Sequence, residues 1–211
     1  MKMGLCLSAG ALAVAAVAVA AMPLQDAAKA KSKPDDKAAA GAMDPAAMHA
    51  KMLELGKPGA EHAQLKKMVG NWTIKGKNWE GPEPTECTGT ATIEMVNDRF
   101  TIEKFSGEFV GMGHYEGTGT MGFNNATKQF EHVWRDNMNT GMMWSTGTKG
   151  ADGTITMTGS STCPMGPMSC RMVSKMVNDN AMHFEMYGTI AGTPEMKMME
   201  LDYTRAGATG R

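Results

Sequence analysis

The sequence has no excess of charge of either sign and little of the leucine that builds helical cores. Its 211 residues include 21 basic and 22 acidic side chains. A nucleic-acid-binding surface needs a concentrated basic face, so this balance argues against a nucleic-acid partner. The 25 glycines and many threonines favour short strands and tight turns. The length fits one domain with appendages.

The sequence also lacks a recognisable catalytic motif. Its serines have no Gly-x-Ser-x-Gly context, and its carboxylates are scattered without an evident pair. Gly117-x-Gly119-x-x-Gly122 has the letters of a dinucleotide fingerprint, but it lies in a threonine-rich strand pattern that no helix follows. The sequence therefore predicts no catalytic residue and favours a protein that is not an enzyme.

Cysteine is scarce, with four residues in the chain. Three of them, an odd number, follow the N-terminal segment. Cys163 and Cys170 flank a turn-rich loop, and a disulfide closing so small a loop would stabilise by about 2.5 kcal/mol. The C-x6-C spacing, with no histidine nearby, is a poor zinc pattern. We predict a bond between Cys163 and Cys170 with Cys87 free, and a bond from Cys87 to either of them is the alternative.

Residues 1–20 are predicted to be a cleaved signal peptide. Lys2 precedes an uncharged, alanine-rich stretch, and Ala18-Val19-Ala20 offers a cleavage site. The stretch approaches the length of a membrane span, but alanine contributes little apolar surface, which favours cleavage over a retained transmembrane helix. Cys6 comes too early for a lipoprotein cysteine, so no lipid anchor is predicted. We expect a periplasmic or secreted protein.

Three further segments follow from composition and periodicity. Residues 21–45 contain almost no large apolar group, which predicts a disordered linker. Residues 46–69 place apolar side chains at helical spacing around Pro58-Gly59, which predicts one or two short helices. Residues 206–211 form a short tail.

Between residues 70 and 205 the apolar pattern has a period of two, interrupted by asparagine, aspartate and glycine turns. The candidate strands are 71–79, 86–96, 99–108, 112–123, 128–136, 140–149, 153–162, 168–177, 181–188 and 195–205. Strands at this even spacing, with no helices between them, are typical of an antiparallel barrel or a sandwich. We predict an all-β fold, an up-and-down barrel of about ten strands.

A Gly-x-Trp on the first strand and an arginine on the last suit such a barrel. Trp72, two residues after Gly70, is expected to plug one end. Arg205 is expected to lie over the face of the indole, a contact worth about 0.5–2 kcal/mol. These three residues have a structural role in this interpretation.

Several stretches resemble the bacterial family DUF1579, a domain of unknown function. They are residues 65–72, 117–124, 128–143 with Gly147, and 200–205. The resemblance covers residues 60–205; it implies a fold and no catalytic residue. Gly70-Asn71-Trp72 and Arg205 also resemble the calycin group of lipocalins, fatty-acid-binding proteins and haem-binding nitrobindins. A nitrobindin-like haem site would need a histidine near the last strand, where Met198-Met199 stand, so haem is not predicted.

Alternation along strand 128–136 places aromatic and polar side chains on one face. A barrel of this size either fills its interior with side chains or holds one small ligand. We predict a binding site for a small apolar or amphipathic molecule, with these wall residues: Tyr115, Phe123, Phe130, His132, Trp134, Asp136, Met142 and Trp144. A filled barrel is one alternative. An enzyme with His132 as base and Asp136 orienting it is another.

Methionine is the compositional anomaly, at 23 residues. Thioethers select Cu(I), and the methionines form three groups: Met138, Met142 and Met143; Met165 and Met168; Met196, Met198 and Met199. Methionine also fills irregular cores in place of leucine. Met142 and Met143 fall on opposite faces of the predicted strand. No cofactor is therefore predicted, and a copper-binding periplasmic protein remains an alternative function. The sequence does not indicate an oligomeric state.

Overall fold

The computed structural model describes residues 44–79 and 81–207. The predicted signal peptide, most of the predicted linker and residues 208–211 of the tail lie outside the described residues. Within the described part of the chain, no helix is both long enough and apolar enough to cross a membrane.

Two short helices precede the barrel, as predicted. Helix α1 spans Pro45–Leu55 and α2 spans Ala60–Lys67. The predicted linker ends one residue too late, because Asp44 caps α1 and Pro45 begins it. Helix α1 buries none of its side chains, whereas α2 buries His62 and Leu65 and contacts β3 and β4.

The ten predicted strands form a closed antiparallel barrel in which each strand pairs with its neighbours in sequence and β1 pairs with β10. The strands are β1 Gly70–Asn78, β2 Thr85–Val96, β3 Phe100–Phe109, β4 Gly113–Asn124, β5 Gln129–Asp136, β6 Met143–Lys149, β7 Ile155–Cys163, β8 Gly166–Asn178, β9 Ala181–Ile190 and β10 Met196–Arg205. Closure leaves no free sheet edge. This confirms the predicted all-β, up-and-down barrel.

Strand β6 begins three residues later than predicted, because residues 137–142 form a loop. Asp136 Oδ1 accepts the backbone N–H groups of Met138 at 2.9 Å and Asn139 at 3.0 Å. This side-chain turn competes with strand pairing. The loop lies at the end of the barrel opposite α2, which we call the mouth, together with residues 79, 81–84, 110–112, 164–165 and 191–195.

The other end of the barrel is closed by α2 and Trp72. The indole is 1% exposed, and its Nε1 donates to Met68 O at 2.9 Å. The Arg205 guanidinium carbon lies 4.3 Å from the centroid of this indole, as expected. From its place on β10, Arg205 donates to Val69 O at 2.6 Å and to Lys67 O at 2.9 Å. It also donates to Asp179 O, in the turn between β8 and β9, at 2.9 Å. Arg205 thus satisfies carbonyls at the C-terminus of α2.

Gly70 is required by the same arrangement. Its φ is +144°, and a Cβ there would collide with the guanidinium of Arg205. A larger residue would have to displace the arginine that joins α2 to the last strand. The Gly-x-Trp and arginine pattern therefore specifies the closed end of the barrel.

Candidate functional site

The interior of the barrel is not filled. A cavity of about 1480 Å³ extends from Met68, next to the closed end, to the mouth, against about 300–1,000 Å³ for common ligand pockets. Three fully buried residues, Trp72, Ile74 and Phe130, form the packed core of the closed end, which we call the plug. None of the three lines the cavity. The interior of the barrel therefore has two regions, a packed core at the closed end and a cavity that opens at the mouth.

Methionine is the main component of the cavity wall. Its fifteen lining methionines are Met68, Met112, Met121, Met138, Met142, Met143, Met157, Met165, Met168, Met172, Met182, Met186, Met196, Met198 and Met199. All three methionine groups noted in the sequence are among them. Residues far apart in sequence therefore come together around one space.

Six of the eight predicted wall residues line this cavity: Tyr115, His132, Trp134, Asp136, Met142 and Trp144. Phe123 and Phe130 do not. Phe130 is fully buried and packs edge-on against Phe123, with ring centroids 5.0 Å apart. Phe123 in turn contacts His62 of α2, at 6.0 Å between centroids. These two phenylalanines belong to the plug.

Trp144 is among the residues around the cavity, but most of its side chain is exposed to solvent. It is 62% exposed, whereas its neighbours Met143 and Ser145 are more enclosed. In the β5–β6 ladder, Trp134 pairs with Met143 and His132 pairs with Ser145, and paired residues share a face. Met143 and Ser145 therefore share the face of Trp134 and His132, and Trp144 lies on the other face of β6.

Three wall residues form a chain of hydrogen bonds near the mouth. Trp134 Nε1 donates to the Tyr115 hydroxyl at 2.7 Å, which donates to Asp136 Oδ2 at 3.1 Å. Burial and the adjacent Asp136 raise the pKa of Tyr115, so it stays a neutral donor. The rings of Tyr115 and Trp134 are nearly parallel, with centroids 6.5 Å apart.

Gly117 and Gly119 make room for this wall. A Cβ at Gly117 would collide with the indole of Trp134, and one at Gly119 would meet both that indole and His132 Nε2. The glycines of the apparent dinucleotide fingerprint therefore serve close side-chain packing.

His132 and Asp136 do not form the pair that an acid–base mechanism would require. His132 Nδ1 lies 3.5 Å from Ser145 Oγ, while the Asp136 oxygens bind Tyr115 and the mouth loop. Trp134 lies between them on β5. Burial lowers the pKa of His132 to about 4, so the imidazole is neutral at pH 7 and a weak base. The arrangement does not favour the alternative of an enzyme with His132 as base and Asp136 as its orienter.

Glu103 is one of several cavity residues that the sequence did not indicate. Its carboxylate faces the cavity from β3 and accepts a hydrogen bond from the Tyr203 hydroxyl at 3.2 Å. Burial raises its pKa to about 7, although the bond from Tyr203 acts in the opposite direction. Alternation with the inward-facing Thr101 and Phe105 was the available signal. Phe100 and Ile102, on the outer face, obscured it.

The structure has all three described cysteines as free thiols. In the β7–β8 ladder Cys163 pairs with Gly166 and Cys170 pairs with Gly159. This register places the two cysteines four positions apart along the hairpin and does not form the predicted disulfide. Cys87 is buried, which raises the pKa of its thiol to about 11 and makes it unreactive.

In the described part of the chain, no three histidine, cysteine, aspartate or glutamate side chains lie close enough to hold a metal ion. The methionine sulfurs are the remaining candidates for metal binding. A Cβ at Gly188 would collide with Met198 Sδ and would lie 3.1 Å from Met168 Sδ, so both sulfurs are near this glycine. Two of the three methionine groups therefore meet at one point of the wall.

Solved structures support the fold. Rv2717c from M. tuberculosis is 14% identical, with a TM-score of 0.53 over 71% of this chain and 99% of that one. The S-type phycobiliprotein lyase CPES from Guillardia theta is 10% identical, with a TM-score of 0.51 over 75% and 98%. At these identities the similarity concerns the fold alone.

No curated protein matches the chain. The family model described as "Protein of unknown function (DUF1579)" matches residues 57–205. This range covers both the plug helix α2 and all ten strands. The chain belongs to the DUF1579 family.

Proposed function

We propose that this protein binds a small apolar or amphipathic molecule inside its barrel. The observation that carries the proposal is the cavity of about 1480 Å³ lined by methionine and aromatic side chains. A ten-stranded barrel whose side chains leave this much space has room for a ligand. Flexible thioethers can adapt to the shape of an apolar molecule.

The mouth is suited to the entry of such a molecule. Several apolar side chains at the mouth are about half exposed or more: Val110, Met138, Met142, Met165 and Met196. Inside, two hydrogen-bonded polar clusters stand among the apolar side chains, Trp134–Tyr115–Asp136 and Tyr203–Glu103. An apolar wall with a few placed polar groups is the usual composition of a ligand pocket.

The proposal is tested by titrating the protein with dansyl pentylamide, an uncharged apolar fluorophore. The wild type should bind it saturably. Met186→Trp places a larger side chain on the cavity wall and should weaken binding by about tenfold or more. The matched control, Val177→Trp, adds a tryptophan on the outer face, where Val177 is 61% exposed, and should leave binding unchanged. Absence of saturable binding, or equal effects of both variants, would overturn the proposal.

A second candidate function, Cu(I) binding, is favoured by the adjacent sulfurs of Met168 and Met198. A competition titration of Cu(I) against bicinchoninate tests it. The double variant Met168→Leu/Met198→Leu should lose the competition if copper binds there. The control Met48→Leu/Met52→Leu, on exposed α1, should compete like the wild type. A wild type that cannot compete excludes this function.

A further inference from the structure

We propose that the ligand of the cavity carries a protonated amine, and that its nitrogen donates a hydrogen bond to Glu103. This inference rests on the proposed binding function and specifies the chemistry of the ligand. The charged side chains that line the cavity indicate which ligand charge it can accept. Among the described residues these are Glu103, Asp136 and Lys197, together with the neutral His132.

Two of the three charged side chains already have partners. Lys197 Nζ donates to Glu185 and Glu200, each at 2.6 Å. Asp136 accepts from Tyr115 and from two backbone N–H groups of the mouth loop. Both groups are therefore committed to the protein itself. Glu103 differs from them in having no cation within reach among the described residues.

Glu103 has one oxygen available to a ligand. Oε1 accepts from Tyr203, and the described residues provide no hydrogen bond to the other oxygen. In the same part of the chain, no fully buried side-chain oxygen lacks a partner. The second oxygen is therefore open to the cavity. A carboxylate enclosed in protein without a counter-charge is unstable, and a bound cation would relieve this cost.

The wall beside Glu103 also suits a cation. Its cross-strand partner on β4 is Gly119, which carries no side chain to cover the carboxylate. The rings of Trp134 and His132 pack against that glycine. An indole face attracts a desolvated cation. The imidazole of His132 is neutral, so it does not repel a bound cation and does not act as the counter-charge of Glu103. The carboxylate and the aromatic wall therefore favour a positively charged group, and the methionines favour an apolar remainder.

The proton on Glu103 makes this preference depend on pH. Its pKa is raised to about 7 by burial, so it must lose a proton before it attracts an ammonium group fully. The titratable groups around it are Tyr203 on β10, Tyr115 on β4, Cys87 on β2, and His132 and Asp136 on β5. The first three have raised pKa values and His132 a lowered one, so none of these four changes charge between pH 5.5 and 8.

Three dansyl probes with similar apolar bodies test the inference on the full chain. Dansylcadaverine ends in an ammonium group, dansyl pentylamide is uncharged, and dansyl-6-aminohexanoate ends in a carboxylate. At pH 8 the wild type should bind the ammonium probe at least about tenfold more tightly than the uncharged one, as expected for a charge-assisted hydrogen bond. It should bind the carboxylate probe most weakly. The preference for ammonium should shrink at pH 5.5.

Glu103→Gln should weaken binding of the ammonium probe more than binding of the uncharged probe, so that the preference for ammonium is lost. Equal binding of the ammonium and uncharged probes by the wild type at pH 8 would overturn the inference while leaving the proposed function standing. The inference is also overturned, and the proposed function again stands, if Glu103→Gln weakens binding of the ammonium and the uncharged probe equally. If no probe binds, the proposed function fails and this inference fails with it. The wild-type comparison decides the question even if the variant does not fold.

Discussion

The two ends of this barrel are built from the same ten strands but by different chemistry. At the closed end, Trp72 and the guanidinium of Arg205 occupy one fixed geometry in which every hydrogen bond is made to a backbone carbonyl. Toward the mouth, many thioethers line a cavity, and Glu103 has an oxygen to which no described residue donates. The closed end thus stabilises the fold, and the cavity end has groups available to another molecule.

This difference explains why methionine is concentrated on one side. A plug must exclude water in a single arrangement, which aromatic rings and branched aliphatic side chains do well because they have few rotamers. A cavity wall that accommodates a ligand benefits from unbranched, polarisable side chains that can change rotamer. The methionine content therefore has an explanation in the cavity, independent of any metal.

The largest effect is expected from removing the plug. Trp72→Ala should lower the free energy of unfolding by about 3–5 kcal/mol, because it leaves a large void in a buried position and removes the contact with Arg205. Urea denaturation followed by circular dichroism measures the change. A loss below about 1 kcal/mol would show that the closed end does not hold the barrel together.

The next effect concerns the cavity end and depends on pH. The pKa of Glu103 is about 7 in the folded protein against an ordinary 4.5, so the folded chain holds the proton more tightly. Stability should therefore fall as the pH rises from about 4.5 through 7, by at most about 3 kcal/mol. The measurement is the free energy of unfolding of the wild type minus that of Glu103→Gln at each pH. A difference that stays constant would contradict the prediction.

His132 makes this subtraction necessary because its effect has the opposite sign. Its pKa is lowered from 6.5 to about 4 by burial, so the unfolded chain binds the proton more tightly. Stability due to this group is lost as the pH falls from about 6.5 to 4. The two effects largely cancel in the wild type between pH 4.5 and 6.5, and only the variant separates them.

A smaller effect tests the geometry at the closed end. Arg205→Lys keeps a positive charge near Trp72 but cannot make the separate hydrogen bonds to Lys67, Val69 and Asp179. We expect a loss of about 1–2 kcal/mol in the free energy of unfolding, because lysine lacks the planar fork of donors. If Arg205→Lys leaves the free energy of unfolding unchanged in urea denaturation, a positive charge over the indole is sufficient to stabilise the closed end.

The sequence predicted the closed end better than the cavity, for a physical reason. Gly70, Trp72 and Arg205 are specified by backbone geometry and a close approach, so their identities carry the information. Strand number and turns follow from local chemistry, and these predictions were confirmed. Trp144 was expected on the inner face because its ring is bulky and apolar, whereas the pairing of β5 with β6 places it on the other face from Trp134 and His132. Glu103 was missed because the meaning of a single acid depends on which side of the barrel wall it occupies.

The smallest effect is expected from Trp144, and it tests the face assignment of β6 against Trp72. The Trp144 ring is 62% exposed, and its side chain makes no hydrogen bond or ring contact with any described residue. Trp144→Ala should therefore change the free energy of unfolding by no more than about 0.5 kcal/mol. It should also reduce quenching of tryptophan fluorescence by iodide, because the other three tryptophans are buried or half-buried. If its loss instead destabilises the protein by several kcal/mol or weakens dansyl pentylamide binding, Trp144 lies on the inner face of β6 and the register of β5 with β6 must differ by one residue.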